Sequence, residues 1–145
     1  MPSDSPDRYR RLVELSPDGI FISQDDRIVF LNPAAVRLFG ASAPEQILGR
    51  RCPGDLFHPA SHVLIRERVA LMLSRQPVPP AEEKIVRLDG TVIDVEVNST
   101  YVEEPDGPAI QVIVRDISDR KRAEALLRQN EERLTLAFAG AREGV

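Results

Sequence analysis

Beyond Pro77, Pro79 and Pro80 the apolar residues of this chain change their spacing, and that change limits the fold more than any other feature of the sequence. Ahead of the prolines, Ile65, Val69 and Met72 recur at intervals of four and three, which predicts a helix from about Ala60 to Ser74. The prolines end it, because they lack the amide proton a helix needs. Behind them the period is two. Ile93, Val95 and Val97 fall on one face of a strand, with Asp94, Glu96 and Asn98 on the other. Asp89-Gly90 predicts a tight hairpin turn between strands at Lys84–Leu88 and Thr91–Tyr101. A turn at Pro105-Asp106-Gly107-Pro108 then leads into a last strand, Ala109–Val114.

The first third of the chain supplies the rest of the pattern. Residues 2–7 hold two prolines, two serines and two aspartates and are expected to lie loose. A short helix, Tyr9 to Leu15, is stopped by Ser16-Pro17-Asp18-Gly19. Ile20-Phe21-Ile22 and Ile28-Val29-Phe30-Leu31, around Gln24-Asp25-Asp26, read as a hairpin. Asn32 can cap the next helix, with Pro33 at a position where its missing proton costs nothing and Gly40 as the stop. Ser42 to Cys52 reads as a short helix and a connector, and His58-Pro59 as the entry to the longer helix. Strands thus bracket a group of helices. That order predicts an α+β fold, an antiparallel sheet with helices on one face.

Bulk properties exclude several functions. A chain of 145 residues that is 42% hydrophobic can build one domain with a real core. A net charge of −4 argues against nucleic-acid binding and gives no general attraction to an anionic membrane. The single cysteine, Cys52, excludes an internal disulfide and a cysteine-built zinc site, and it fits a reducing, cytoplasmic setting. The N-terminus lacks the pattern of a signal peptide, and no apolar run approaches the ~20 residues of a membrane span. The segment is therefore expected to be soluble, whatever membrane helices a longer parent carries. There is no phosphate-binding glycine loop, metal-ligand cluster or nucleophile–base pair, so no enzyme activity is expected. Glu82-Glu83 and Glu103-Glu104 are expected to be solvated.

From Ser118 the chain is charged and helix-forming, with neither Gly nor Pro before Gly140. Ala123, Leu127, Asn130, Leu134 and Ala137 alternate at spacings of four and three, a heptad seam. The seam fits a dimeric coiled coil; the alternative is a lone amphipathic helix packing on its own domain. The last residues echo the first: Leu12 to Ile20 lie over Ala137 to Val145, with Val13 on Phe138, Asp18 on Glu143 and Gly19 on Gly144. This suggests the opening of a second copy of the same domain.

Six stretches together resemble the PAS family of sensory domains. They are Ser16-Pro17-Asp18-Gly19-Ile20, Phe30-Leu31-Asn32-Pro33-Ala34-Ala35, Leu48-Gly49, Leu56-Phe57-His58-Pro59, Arg87-Leu88-Asp89-Gly90-Thr91 and Val114 to Lys121. The last is similar to the family's exit motif, with Ser118 in place of its Thr. The resemblance covers about residues 8–122. It implies a five-stranded antiparallel sheet with helices over one face, a ligand site between the layers where one exists, and a signal that leaves through the sheet into a C-terminal helix. The implied organisation is a PAS domain at 8–118, a helical output linker at 119–136 and the start of a second PAS repeat at 137–145. Asp116 and Ser118 would form the joint that passes the signal, Asp116 capping the exit helix and Ser118 bonding back to it. The output, a histidine kinase or a diguanylate cyclase, would be a downstream domain absent from this chain. The partner would be a second copy, in a homodimer. The rival reading is a cofactor-free dimerisation and relay element with no ligand of its own.

Two cofactors known in PAS subgroups are weighed against individual residues. Gly49-Arg50-Arg51-Cys52 is similar to the cysteine motif of flavin-binding light-oxygen-voltage domains. However, the positions of their flavin-bonding amides fall at about Ile85, Val95 and Val114, and an apolar set leaves the ring's polar edge unpaired. His62 shares the helix face of Ile65 and Val69 and is the one candidate haem ligand, though the family's histidine would fall nearer Leu64. Neither cofactor is expected.

Overall fold

A computed structural model describes residues 4–143 of the chain. Helix α1 (Asp4–Leu15) leads into strands β1 (Gly19–Gln24) and β2 (Arg27–Leu31), followed by the short helix α2 (Pro33–Leu38). Helix α3 (Pro59–Leu73) precedes β3 (Ala81–Val86), β4 (Val92–Glu104) and β5 (Gly107–Asp116), and helix α4 (Ser118–Glu143) leaves the domain. The five strands form one antiparallel sheet in the order β2-β1-β5-β4-β3, so the first strand lies beside the last at its centre. The expected α+β layer fold is the one observed.

Several boundaries differ from the sequence expectation: β3, expected at Lys84–Leu88, spans Ala81–Val86, and β5, expected at Ala109–Val114, spans Gly107–Asp116. The first helix starts at Asp4, within the stretch expected to be loose, because Pro6 sits in its first turn, where a missing amide proton is tolerated. Ser42 to Cys52 holds only a single 3-10 turn, Pro44–Gln46. Strand β4 runs three residues past Tyr101 to Glu104, paired with β5 along its length.

Asn32 knits the N-terminal elements. Its Oδ1 accepts from Ala35 N and Ile20 N, each at 2.9 Å. Its Nδ2 donates to the Val13 carbonyl at 2.8 Å and the Asp18 carbonyl at 3.1 Å. One buried amide therefore caps α2 and holds the end of α1 and the start of β1. Gly19 allows β1 to approach α2 closely; a Cβ there would lie 3.2 Å from the Ala35 Cα.

The core fills the space between the sheet and the α2–α3 layer. Phe21, Phe39, Ile47, Leu56, Ile85, Val95, Val97 and Val114 are fully buried in it. Ile65 is buried as expected, while Ile93 and Val69 are only partly so. The outer edge of β3 is covered by the segment entering α3: His58 N donates to the Lys84 carbonyl, and Val86 N to the Leu56 carbonyl.

Candidate functional site

The stripe that α3 turns inward is Ser61, Ile65, Arg68 and Met72, at spacings of four, three and four. One of its members is charged. Arg68 lies over β3, whose alternation sends Glu83 and Ile85 to the same inner face. The residues are 6% and 5% exposed, and Arg68 Nε lies 3.7 Å from Glu83 Oε2. Glu83 is thus inside the domain, which corrects the expectation that it is solvated. The parity set by Ile85 was the signal that would have placed it.

The pair forms part of the wall of a cavity of about 240 Å³ between α3 and the sheet. Phe21, Phe57, Ile65, Met72, Ile110 and Val112 give it an apolar lining. Ser23, Gln24, Cys52 and Ser99 add polar atoms, and Asp25 and Asp26, exposed in the β1–β2 turn, lie at its rim. Arg68 donates through Nη1 to the Pro79 carbonyl in the proline-rich segment after α3. Its Nη2 is buried with no hydrogen-bond partner among the described residues. Burial pushes the Glu83 carboxyl up to about 7, against the opposing pull of the Arg68 charge. Burial, with the negative charges of Glu83 and Asp26, pushes the Cys52 thiol up to about 12. A thiol so held is neutral and a poor nucleophile at ordinary pH.

The other candidates have different surroundings. His62 Nε2 donates to the Phe57 carbonyl at 2.6 Å, which ties the first turn of α3 to the segment before it, and His62 does not line the cavity. His58 is the N-cap of α3, its Nδ1 accepting from Ala60 N at 3.1 Å. Ile85, Val95 and Val114, the positions compared with flavin-bonding amides, are packed in the core. Among the described residues no group of three His, Cys, Asp or Glu side chains is placed to hold a metal ion.

On the opposite face of the sheet, Glu82 meets the start of α4. Lys121 Nζ lies 2.7 Å from Glu82 Oε2, and Arg120 contacts both Glu82 and Glu96, the latter at 3.6 Å. The Lys121 hydrogen bond, with the charges of Lys121 and Arg120, holds the Glu82 carboxyl below its ordinary value. The joint between sheet and helix is short. Asp116 Oδ1 accepts from the Ser118 backbone N at 2.8 Å, and buried Ile117 donates its N–H to the Asp94 carbonyl at 3.1 Å. The bond between the two joint residues is therefore made by the Ser118 amide.

Farther along α4, Ala123, Leu127, Asn130 and Leu134 are all exposed, with Leu127 59% and Leu134 63% open to solvent. They do not pack on their own domain. The side chain of Ala137, the fifth seam position, lies outside the described residues, as do Gly144 and Val145 of the expected second repeat; the backbone is helical through Glu143. No helix among the described residues is long and apolar enough to cross a membrane.

Comparison with known proteins places this architecture. A family model described as the PAS fold matches residues 7–117. Sporulation kinase A of Bacillus subtilis is 30% identical over 130 residues, which take in 90% of this chain and 21% of that protein. The chain thus spans about a fifth of the length of the curated relative it matches. Two solved structures are each 25% identical and cover 80% of the chain. One is the PAS domain of an HTR-like protein from Haloarcula marismortui, with a TM-score of 0.62 and 94% of that chain covered. The other is a domain of a sensory box sensor histidine kinase/response regulator from Geobacter sulfurreducens, with a TM-score of 0.65 and 97% covered.

Proposed function

The chain belongs to the PAS family, and from that premise we propose that it is the signal-input module of a cytoplasmic sensor histidine kinase. It senses a small molecule in the Arg68–Glu83 cavity and relays occupancy through the sheet to α4. PAS modules of this kind occur in histidine kinases, as the sporulation kinase and the Geobacter protein illustrate. A cyclase output, the other expectation, has no counterpart among those relatives.

The observation that carries the relay is the adjacency of Glu82 and Glu83. Neighbouring strand residues point to opposite faces. One therefore reaches into the cavity to Arg68, and the next reaches out to Arg120 and Lys121 at the base of the exit helix. A ligand that moves Arg68 or changes the charge on Glu83 shifts β3, and β3 holds the first turn of α4 through Glu82. Asp116 and Ser118 fix where that helix begins. Neither flavin nor haem is proposed: Ile85, Val95 and Val114 are packed apolar side chains, and His62 is bonded to a backbone carbonyl and does not line the cavity.

Hydrogen–deuterium exchange over residues 118–127 tests the relay. Glu83→Gln should raise exchange there although Glu83 does not touch α4. Exchange unchanged at α4, with a changed pattern at β3, would sink the route. The rival reading, a relay without a ligand, is favoured by one observation: the exposed Leu127 and Leu134, which suit association between copies. We assign that surface to a homodimer of the same module, so that sensing and pairing use different parts of the chain.

A further inference from the structure

Arg68 is the residue whose chemistry the fold leaves incomplete. A guanidinium has five N–H donors and no acceptor. Here Nη1 is taken by a carbonyl, Nε faces Glu83 at a distance too long for a hydrogen bond, and Nη2 is buried without a partner among the described residues, in a side chain that lines the cavity. Leaving such a donor unpaired is costly, so a bound acceptor at that point contributes binding free energy that a purely apolar ligand lacks. The rest of the wall sets the ligand's body. It is mainly aromatic and aliphatic, through Phe21, Phe57, Ile65, Met72, Ile110 and Val112, with Ser23, Gln24 and Ser99 as polar side chains. A dry cavity of ~150 Å³ accepts benzene, so about 240 Å³ suits a molecule of roughly ten non-hydrogen atoms.

We propose that the cavity binds a small monocarboxylate with an apolar body, its carboxylate held by the Arg68 guanidinium. This deepens the sensory reading above and rests on it. Arginine is the side chain best matched to a carboxylate, in charge and in the planar arrangement of its donors. One carboxylate is specified because Asp25 and Asp26 stand at the rim, where a second anionic group would meet like charge. Glu83 is the ligand's competitor for Arg68. The ligand's carboxylate replaces it as counter-ion, and Glu83 takes up a proton and becomes a donor in turn. The surroundings of Glu83 favour that exchange: burial opposes its charge, Arg68 from α3 is the one cation among the described residues that acts on it, and the nearby Cys52 is a neutral thiol. With its carboxyl already near 7, Glu83 gains this proton readily around neutral pH.

Calorimetric titration of the 145-residue chain with sodium benzoate, phenylacetate and hexanoate, and with methyl phenylacetate as the neutral control, tests the proposal. At least one carboxylate should bind ten-fold or more tightly than the ester. Above pH 7 its affinity should fall by about ten-fold per pH unit, with one proton taken up per ligand at pH 8. Since Arg68→Ala alone would strand Glu83, the chosen variant is Arg68→Met/Glu83→Gln, which removes both charges together and should melt as a folded domain. It should lose the carboxylate preference and keep ester binding. Ester binding equal to carboxylate binding, no pH dependence, or no binding by any of the three carboxylates would overturn the proposal. The sensory reading is judged separately, by exchange at residues 118–127 with ligand bound. A neutral ligand that changes it leaves sensing intact without the carboxylate; bound ligand of either kind that leaves it unchanged rejects the relay.

Discussion

Glu82 and Glu83 are neighbours on one strand, and the chain treats them in opposite ways. Glu82 is exposed, held by Arg120 and Lys121, and its carboxyl is more acidic than usual because of that bonding. Glu83 is buried against Arg68, and burial makes its carboxyl less acidic. The residue type is the same, so the difference belongs to the face. The outer face of the sheet uses charge where water screens it, to seat the exit helix at little energetic risk. The inner face uses charge where an unpaired group is expensive, which suits the binding site proposed there. Polarity on the inner face therefore marks a candidate site, whereas charge on the outer face attaches the exit helix.

Placing a new charge on each face should break or sharpen this contrast, and the largest effect is expected inside. Val95 is fully buried and stands opposite Glu83 in the β3–β4 register, so Val95→Asp puts a carboxylate there with no cation of its own. It should cost about 3–5 kcal/mol, read as a large drop in melting temperature. A melt like the wild type would show that the inner face tolerates free charge. Next comes pH. The folded domain binds a proton at Glu83 up to about pH 7, whereas an unfolded carboxyl releases it near 4.5. Stability from this group is therefore fully present below about 4.5 and is lost as pH rises to about 7, a change on the order of 3 kcal/mol. Glu83→Gln should flatten that slope in denaturant titrations across the window. Glu82 has the opposite sign: its contribution is present above its unfolded value and fades in acid, so Glu82→Gln should lower stability slightly at neutral pH and leave it unchanged at the acid end.

Smaller effects on stability are expected at the exit helix. Asp116→Ala removes one capping bond and should cost about 1 kcal/mol, yet change the basal or signal-dependent output of the full-length parent at equal expression. Unchanged output would reduce the joint to a cap. Leu127→Ala with Leu134→Ala should leave the domain's melting temperature almost unmoved, since both side chains are exposed, and lower the dimer fraction in sedimentation. Undiminished association would move the interface elsewhere, with the exposed Tyr9 to Leu15 face of α1 as the next surface to test.

Much of the sheet was legible because its signals are local. Asn32-Pro33 and Asp89-Gly90 announce a cap and a turn by their own chemistry, and Val95 and Val97 mark the inner face by alternation. The end of β4 was harder to read, because Glu103 and Glu104, just before Pro105, carry no apolar signal and the strand is sustained there by pairing with β5. The Arg68–Glu83 pair was missed for a different reason. Arg68 and Glu83 are 15 residues apart on different elements, and each alone looks like a surface residue. Periodicity could place each on an inner face, since Arg68 interrupts an apolar stripe and Glu83 shares parity with Ile85. Only the fold brings them together.

The bonds of Asn32 bear on how the domain assembles. They span 19, 14, 12 and 3 residues, so α1, β1 and α2 can be gathered with little loop-closure entropy. The central pairing of Gly19 with Val114 requires nearly the whole chain to be present. On a ribosome the N-terminal quarter can therefore condense around one amide while the strand that completes the sheet is still unmade, and β1 must wait with its inner edge unpaired. Contacts of Asn32 would then be formed before the folding barrier is crossed, and those across β1 and β5 at or after it.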